Sequence, residues 1–65
     1  MLTGDYQPHF EKDETERVGK IKKEIKRGNL DYLYSEFDFD DNEEIVNSYF
    51  DENDQLHIIY VTYVD

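Results

Sequence analysis

Seventeen of the 65 residues are carboxylates, and eleven of those lie between Leu30 and Asp65, a stretch without lysine or arginine. Carboxylates can ligate metal, move protons or attract cations, and the spacing decides among these. The run Asp38-Phe39-Asp40-Asp41-Asn42 resembles the opening of an EF-hand calcium loop. A loop starting at Asp38 needs glycine at its sixth position and glutamate at its twelfth, where this chain has Glu43 and Tyr49. The match fails, and Asp40-Asp41-Asn42 reads instead as a turn. Asp51-Glu52-Asn53-Asp54 reads as a second turn, so no metal ligands are assigned.

Nucleophilic chemistry has little to draw on. There is no cysteine and no glycine-rich phosphate loop; the serines are Ser35 and Ser48, and the histidines are His9 and His57. His57 falls within an alternating strand pattern and reads as a structural or surface histidine. A chain this short also has little material with which to wall a pocket. The expectation is a protein that is not an enzyme, with no catalytic residue and no cofactor.

What remains is recognition by charge. Acids interleaved with aromatic residues make a surface that suits a basic partner. The residues expected to carry such recognition are Glu36, Asp38, Asp40, Asp41, Glu43, Glu44, Asp51, Glu52 and Asp54, with Tyr32, Tyr34 and Tyr49 as aromatic anchors. The formal charge of −10 disfavours direct nucleic-acid binding and anionic lipid. All seven basic residues fall between Lys12 and Arg27, where four acids leave a net +3. That cluster reads as a solvated helix face offsetting the acids elsewhere.

The elements that must position these groups follow from periodicity. Met1 to Lys12 shows no period, is punctuated by Gly4 and Pro8, and reads as an extended arm. A helix is expected over 13–27. Asp13 and Glu16 form an aspartate version of the capping box, and Val18, Ile21 and Ile25 make an apolar stripe. Lys22, Lys23, Lys26 and Arg27 suit the negative end of the helix dipole, and Gly28 suits the left-handed residue after the helix. Strands are expected over 31–39, 44–50 and 55–64. Leu33, Phe37, Phe39, Val46 and Phe50 would face inward, and Tyr32, Tyr34, Ile45 and Tyr49 outward. The fold class is then α+β: a single domain over 1–65 with one amphipathic helix packed on a three-stranded antiparallel meander, in the order α-β-β-β, behind an extended N-terminal arm.

One helix covers one sheet face, so the tyrosine-rich outer face implies a homodimer or a protein partner. Within such a meander Glu36, Asp38 and Asp40 would form a row at about 6.6 Å intervals. In size, acidity and freedom from cysteine the chain resembles the DNA-mimic inhibitors of phages and mobile elements. That resemblance implies an anti-defence protein occupying the basic surface of a nuclease or other nucleic-acid-processing enzyme; an antitoxin or immunity protein uses the same chemistry. The alternative is a structural or interaction module that forms a homodimer. The longest apolar run is far shorter than the roughly 20 residues a membrane span needs, and the polar, acidic start carries no signal pattern. A cytoplasmic location is expected. The apolar stripe makes a direct prediction: Ile21→Asp should destabilise the fold by several kcal/mol in urea unfolding, and an unchanged transition midpoint would place Ile21 outside the core.

Overall fold

A computed structural model describes residues 1–64; Asp65, counted above among the acids, lies outside the described residues. The class is α+β. In chain order the elements are β1 (Leu2–Tyr6), a 3-10 turn (Lys12–Glu14), α1 (Thr15–Arg27), α2 (Leu30–Glu36), β2 (Glu43–Phe50) and β3 (Leu56–Thr62). They form two compact units, a sheet unit of Met1–Pro8 with the chain from Phe39 onward, and a helical unit of His9–Asp38.

In the helical unit the capping box forms at Glu11 and Glu14 rather than at Asp13 and Glu16, on the 3-10 turn of Lys12–Glu14 that leads into α1 at Thr15. The Glu11 N–H donates to Glu14 Oε1 at 2.9 Å and so closes the box from Glu11. The helix stops where glycine allows. Gly28 takes φ +77°, and the N–H groups of Gly28 and Asn29 donate to the carbonyls of Ile25 and Glu24, a Schellman closure. Ile21 is fully buried, while Val18 and Ile25 are half-buried. Glu24 is also buried, with Asn29 Nδ2 donating to Oε2 at 2.7 Å and Arg27 Nη1 to Oε1 at 3.4 Å.

The expected strand over 31–39 is not there; α2 occupies most of it. Leu33 and Phe37 share a face in a strand, but residues four apart also share a face in a helix. Tyr32 and Glu36, also four apart, form a hydrogen bond of 2.7 Å between the phenol and the carboxylate. The Phe37 N–H closes the last turn on the Leu33 carbonyl.

The third strand of the sheet comes instead from the expected arm. β1 pairs antiparallel with β3, and β3 pairs antiparallel with β2, giving the order β1-β3-β2 with β3 in the centre. The order α-β-β-β is therefore replaced by β-α-α-β-β. One sheet face carries Ile45, Phe50, Leu56, Ile58 and Tyr60, of which Ile45, Leu56 and Ile58 are buried. Ile45 and Val46 exchange the faces expected of them because the register shifts between Ile45 and Asn47. That β-bulge puts Ile45 and Phe50 on one face despite their odd spacing, and leaves Val46 54% exposed. The hairpin turn at 51–54 closes with Asp54 at φ +62°, a left-handed position that aspartate tolerates better than most residues.

Gly4, opposite Tyr60, shows why β1 fits where it does. The Tyr60 ring lies directly over Gly4, so a Cβ there would collide with Cζ and the hydroxyl. The ring has little freedom to retreat, because Phe39 meets it edge-on at 5.5 Å and Tyr6 meets Phe39 edge-on at 5.8 Å. Gly4→Ala should therefore destabilise the protein by about 1–3 kcal/mol, although alanine normally improves on glycine in a strand. Urea unfolding is the check, and a gain in stability would show that the ring moves freely.

Candidate docking face of the sheet unit

The other sheet face is open. Its central row is His57, Ile59 and Val61 of β3, all half-buried, flanked by exposed Thr3 and Asp5 of β1 and exposed Glu44, Asn47 and Tyr49 of β2. Carboxylates gather at the two ends of β2. Asp40 and Asp41 precede β2, and Glu43 and Glu44 begin it. Asp51, Glu52 and Asp54 occupy the turn at the far end, beyond the eight residues of β2, a length of about 23 Å at strand rise. The sequence of this unit has no lysine or arginine and nine acids, Asp65 included.

Several of these acids already have internal work. The Asp40 N–H donates to Glu43 Oε1 at 2.7 Å, which holds the turn before β2. The Tyr63 hydroxyl donates to Glu44 Oε2 at 2.5 Å. Asp51 is the most engaged: Oδ1 accepts the N–H groups of Asn53 and Gln55, each at 2.9 Å, and Oδ2 lies 2.8 Å from His57 Nε2. The Gln55 N–H, then the His57 contact, hold the Asp51 carboxyl below the usual carboxylate range despite partial burial.

His57, expected to be a structural or surface histidine, has partners that the sequence does not name. Its other ring nitrogen, Nδ1, lies 3.1 Å from Asp5 Oδ2 and 3.3 Å from Oδ1, and the Tyr49 ring stacks on it with centroids 4.9 Å apart and planes 5° from parallel. Hydrogen bonding to Asp51, then to Asp5, raises the imidazole above its ordinary value, against the opposing effect of desolvation. Asp5 and His57 are 52 residues apart, so only the β1–β3 pairing brings them together. The one sequence signal available was His57's place on an alternating strand next to an acidic turn.

The remaining expected site residues belong to the helical unit. Tyr32, Tyr34 and Glu36 lie on α2 in the helical unit, and Asp38 ends that unit. The row of Glu36, Asp38 and Asp40 along one strand does not form, because 30–36 is helical. Glu36 accepts the Tyr32 hydroxyl and lies 3.7 Å from Arg17 Nε. Burial first, then the bond and charge of Glu36, push the Tyr32 phenol up to about 12. Arg17 in turn sits 5.5 Å and 5.4 Å from the ring centres of Phe10 and Phe37 and donates to Glu14 Oε2 at 2.8 Å. This cluster consumes its own charges and organises the helical unit.

Among the described residues no group of three or more histidines and acids is placed to hold a metal ion, and no helix is long and apolar enough to cross a membrane. No protein-family model, curated protein or solved structure matches the chain.

The His57 cluster sets a pH window. Asp51 is depressed, so its contribution is complete above its ordinary value of 3.8 and is lost as pH falls through the lower folded value. His57 is raised, so its contribution is complete below its ordinary value of 6.5 and is lost as pH rises through the higher folded value. Thermal stability should therefore be greatest between about pH 4 and 6.5 and decline above it. His57→Gln should remove the decline on the alkaline side. Melting curves across pH 3–9 are the check, and a His57→Gln curve parallel to that of the parent would exclude the cluster as the cause.

Proposed function

We propose that the protein is a non-catalytic acidic binding protein whose sheet unit docks on, and occupies, a basic surface of a nucleic-acid-processing enzyme. The observation that carries this reading is the separation of charge: the sequence of one unit has nine carboxylates and no lysine or arginine, and seven of those acids lie at the two ends of β2, either side of an open face with an apolar middle. Such a face offers long-range attraction at its ends and desolvated contact at Ile59, Val61 and Tyr49. Strand and turn carboxylates are already ordered, so docking costs less side-chain entropy than it would for a mobile acidic tail. With the strand row of acids absent, the reading rests on two acidic clusters. Competition with nucleic acid then comes from occupying the same basic groove rather than from matching phosphates one by one. An anti-defence protein and an antitoxin or immunity protein are both forms of this activity, and cytoplasmic enzymes are its natural targets.

The apolar middle also favours a second reading, a homodimer through the same face. Salt separates the two. Joining two acidic faces brings like charges together, so a homodimer should tighten as salt screens them, whereas a basic partner should be released.

The test is binding to a nucleic-acid enzyme captured by the purified protein. Reversing Asp40, Asp41 and Glu52 together to lysine should slow association at least tenfold at low salt, and duplex DNA should compete. The surface substitutions Asp13→Lys and Asp31→Lys in the helical unit should change the rate far less. Intact binding in the triple variant, or no competition by DNA, would exclude the proposal, and sedimentation showing a salt-strengthened dimer would favour the second reading.

A further inference from the structure

We propose that His57 is a proton-operated clasp on the edge strand β1: as imidazolium it ties Asp5 of β1 to Asp51 of the β2–β3 turn, and loss of the proton releases the Asp5 side. The device is independent of any docking partner.

The geometry is that of a group bonded at both ends. Nε2 lies 2.8 Å from Asp51 Oδ2 and Nδ1 lies 3.1 Å from Asp5 Oδ2. Only the imidazolium carries a proton on both nitrogens; the neutral ring donates from one and turns a lone pair toward whichever carboxylate faces the other. The groups facing the ring are Asp5 from β1, Asp51 from the turn and the aromatic face of Tyr49 from β2. All three favour the cation: two are carboxylates, and the third presents the negative face of a π-system.

Which contact breaks on deprotonation is decided by what else holds each acid. Asp51 is fixed by two backbone N–H groups on its other oxygen, so it stays in place. Asp5 is exposed, its histidine contacts are the longer ones, and Gln7 Nε2 at 3.3 Å is its other side-chain contact. The neutral ring therefore keeps its proton on Nε2 toward Asp51, and the Nδ1 lone pair then repels Asp5. β1 is the element with least to lose. It is five residues long, pairs on one edge alone, and exposes every residue but Gly4. Local opening draws on elements of this kind.

The experiment is amide hydrogen exchange of the full chain, followed residue by residue by NMR at several pH values from 5 to 9, with the His57 ring titration recorded in parallel. Protection of the β1 amides, corrected for the intrinsic pH dependence of exchange, should fall with the midpoint of the His57 titration, while the β2–β3 amides hold. The fall should be about tenfold for each unit by which that midpoint exceeds the midpoint in Asp5→Asn. In Asp5→Asn the ring should titrate lower and β1 protection should be independent of pH. His57→Gln should fix β1 at the weakly protected level. Protection that stays constant through the His57 titration, or an unchanged fall in Asp5→Asn, would overturn the proposal.

Discussion

The pairing of β3 on both of its edges is the constraint on which the sheet unit depends. A hairpin of β2 and β3 alone would be marginal in water. The third strand comes from the opposite end of the sequence, with Leu2 opposite Thr62 and Tyr6 opposite Ile58. Closing so long a loop costs entropy that only non-local contacts return. Those contacts are specific. The Tyr60 ring covers Gly4, Gln55 Nε2 donates to the Pro8 carbonyl at 2.9 Å, and Asp5 meets His57. Each exists only when β1 is in register, so a slip by one residue would lose all of them and turn the strand's side chains to the wrong faces.

That dependence explains which parts of the fold could be read from sequence. The helix over Thr15–Arg27 is legible because its acidic start, apolar stripe and glycine stop all lie within one short segment. The hairpin of β2 and β3 is legible because its turn residues are local too. α2 is not, since Leu33 and Phe37 satisfy the period of a helix and of a strand alike, and aromatic residues tilt the choice toward the strand. The inward face of β2 is not legible for a different reason. A bulge at Val46 changes the phase of alternation midway along the strand, and no residue there announces it. β1 reads as an arm because five residues with a glycine in the middle carry no period of their own; their partner is remote.

The candidate site divides along the same line. The acids around both turns, and Tyr49 between them, could be named from composition and strand spacing. Tyr32, Tyr34, Glu36 and Asp38 group with them in the sequence only through an expected strand that α2 replaces. Nothing in the sequence joins Asp5 to His57, which reads there only as a structural or surface histidine. The charge pattern becomes sharper in three dimensions than in one. The helical unit holds all seven lysines and arginines against eight acids, close to balance, while the sheet unit has no such compensation. Within the sheet unit the one ionisable side chain that becomes cationic is His57, and it is shared between two carboxylates.

The central claim is that the open, acidic face of the sheet unit is where a cationic surface lands. The most direct measurement is an NMR titration of the protein with a deca-lysine peptide, with amide shifts mapped along the chain. The account predicts shifts concentrated at Asp40 to Glu44 and at Tyr49 to Asp54, with Ile59 and Val61 between them. These should vanish in about 1 M salt, where charges are screened beyond about 3 Å. Shifts concentrated instead on the acids of the helical unit, or spread evenly over every exposed carboxylate, would contradict it.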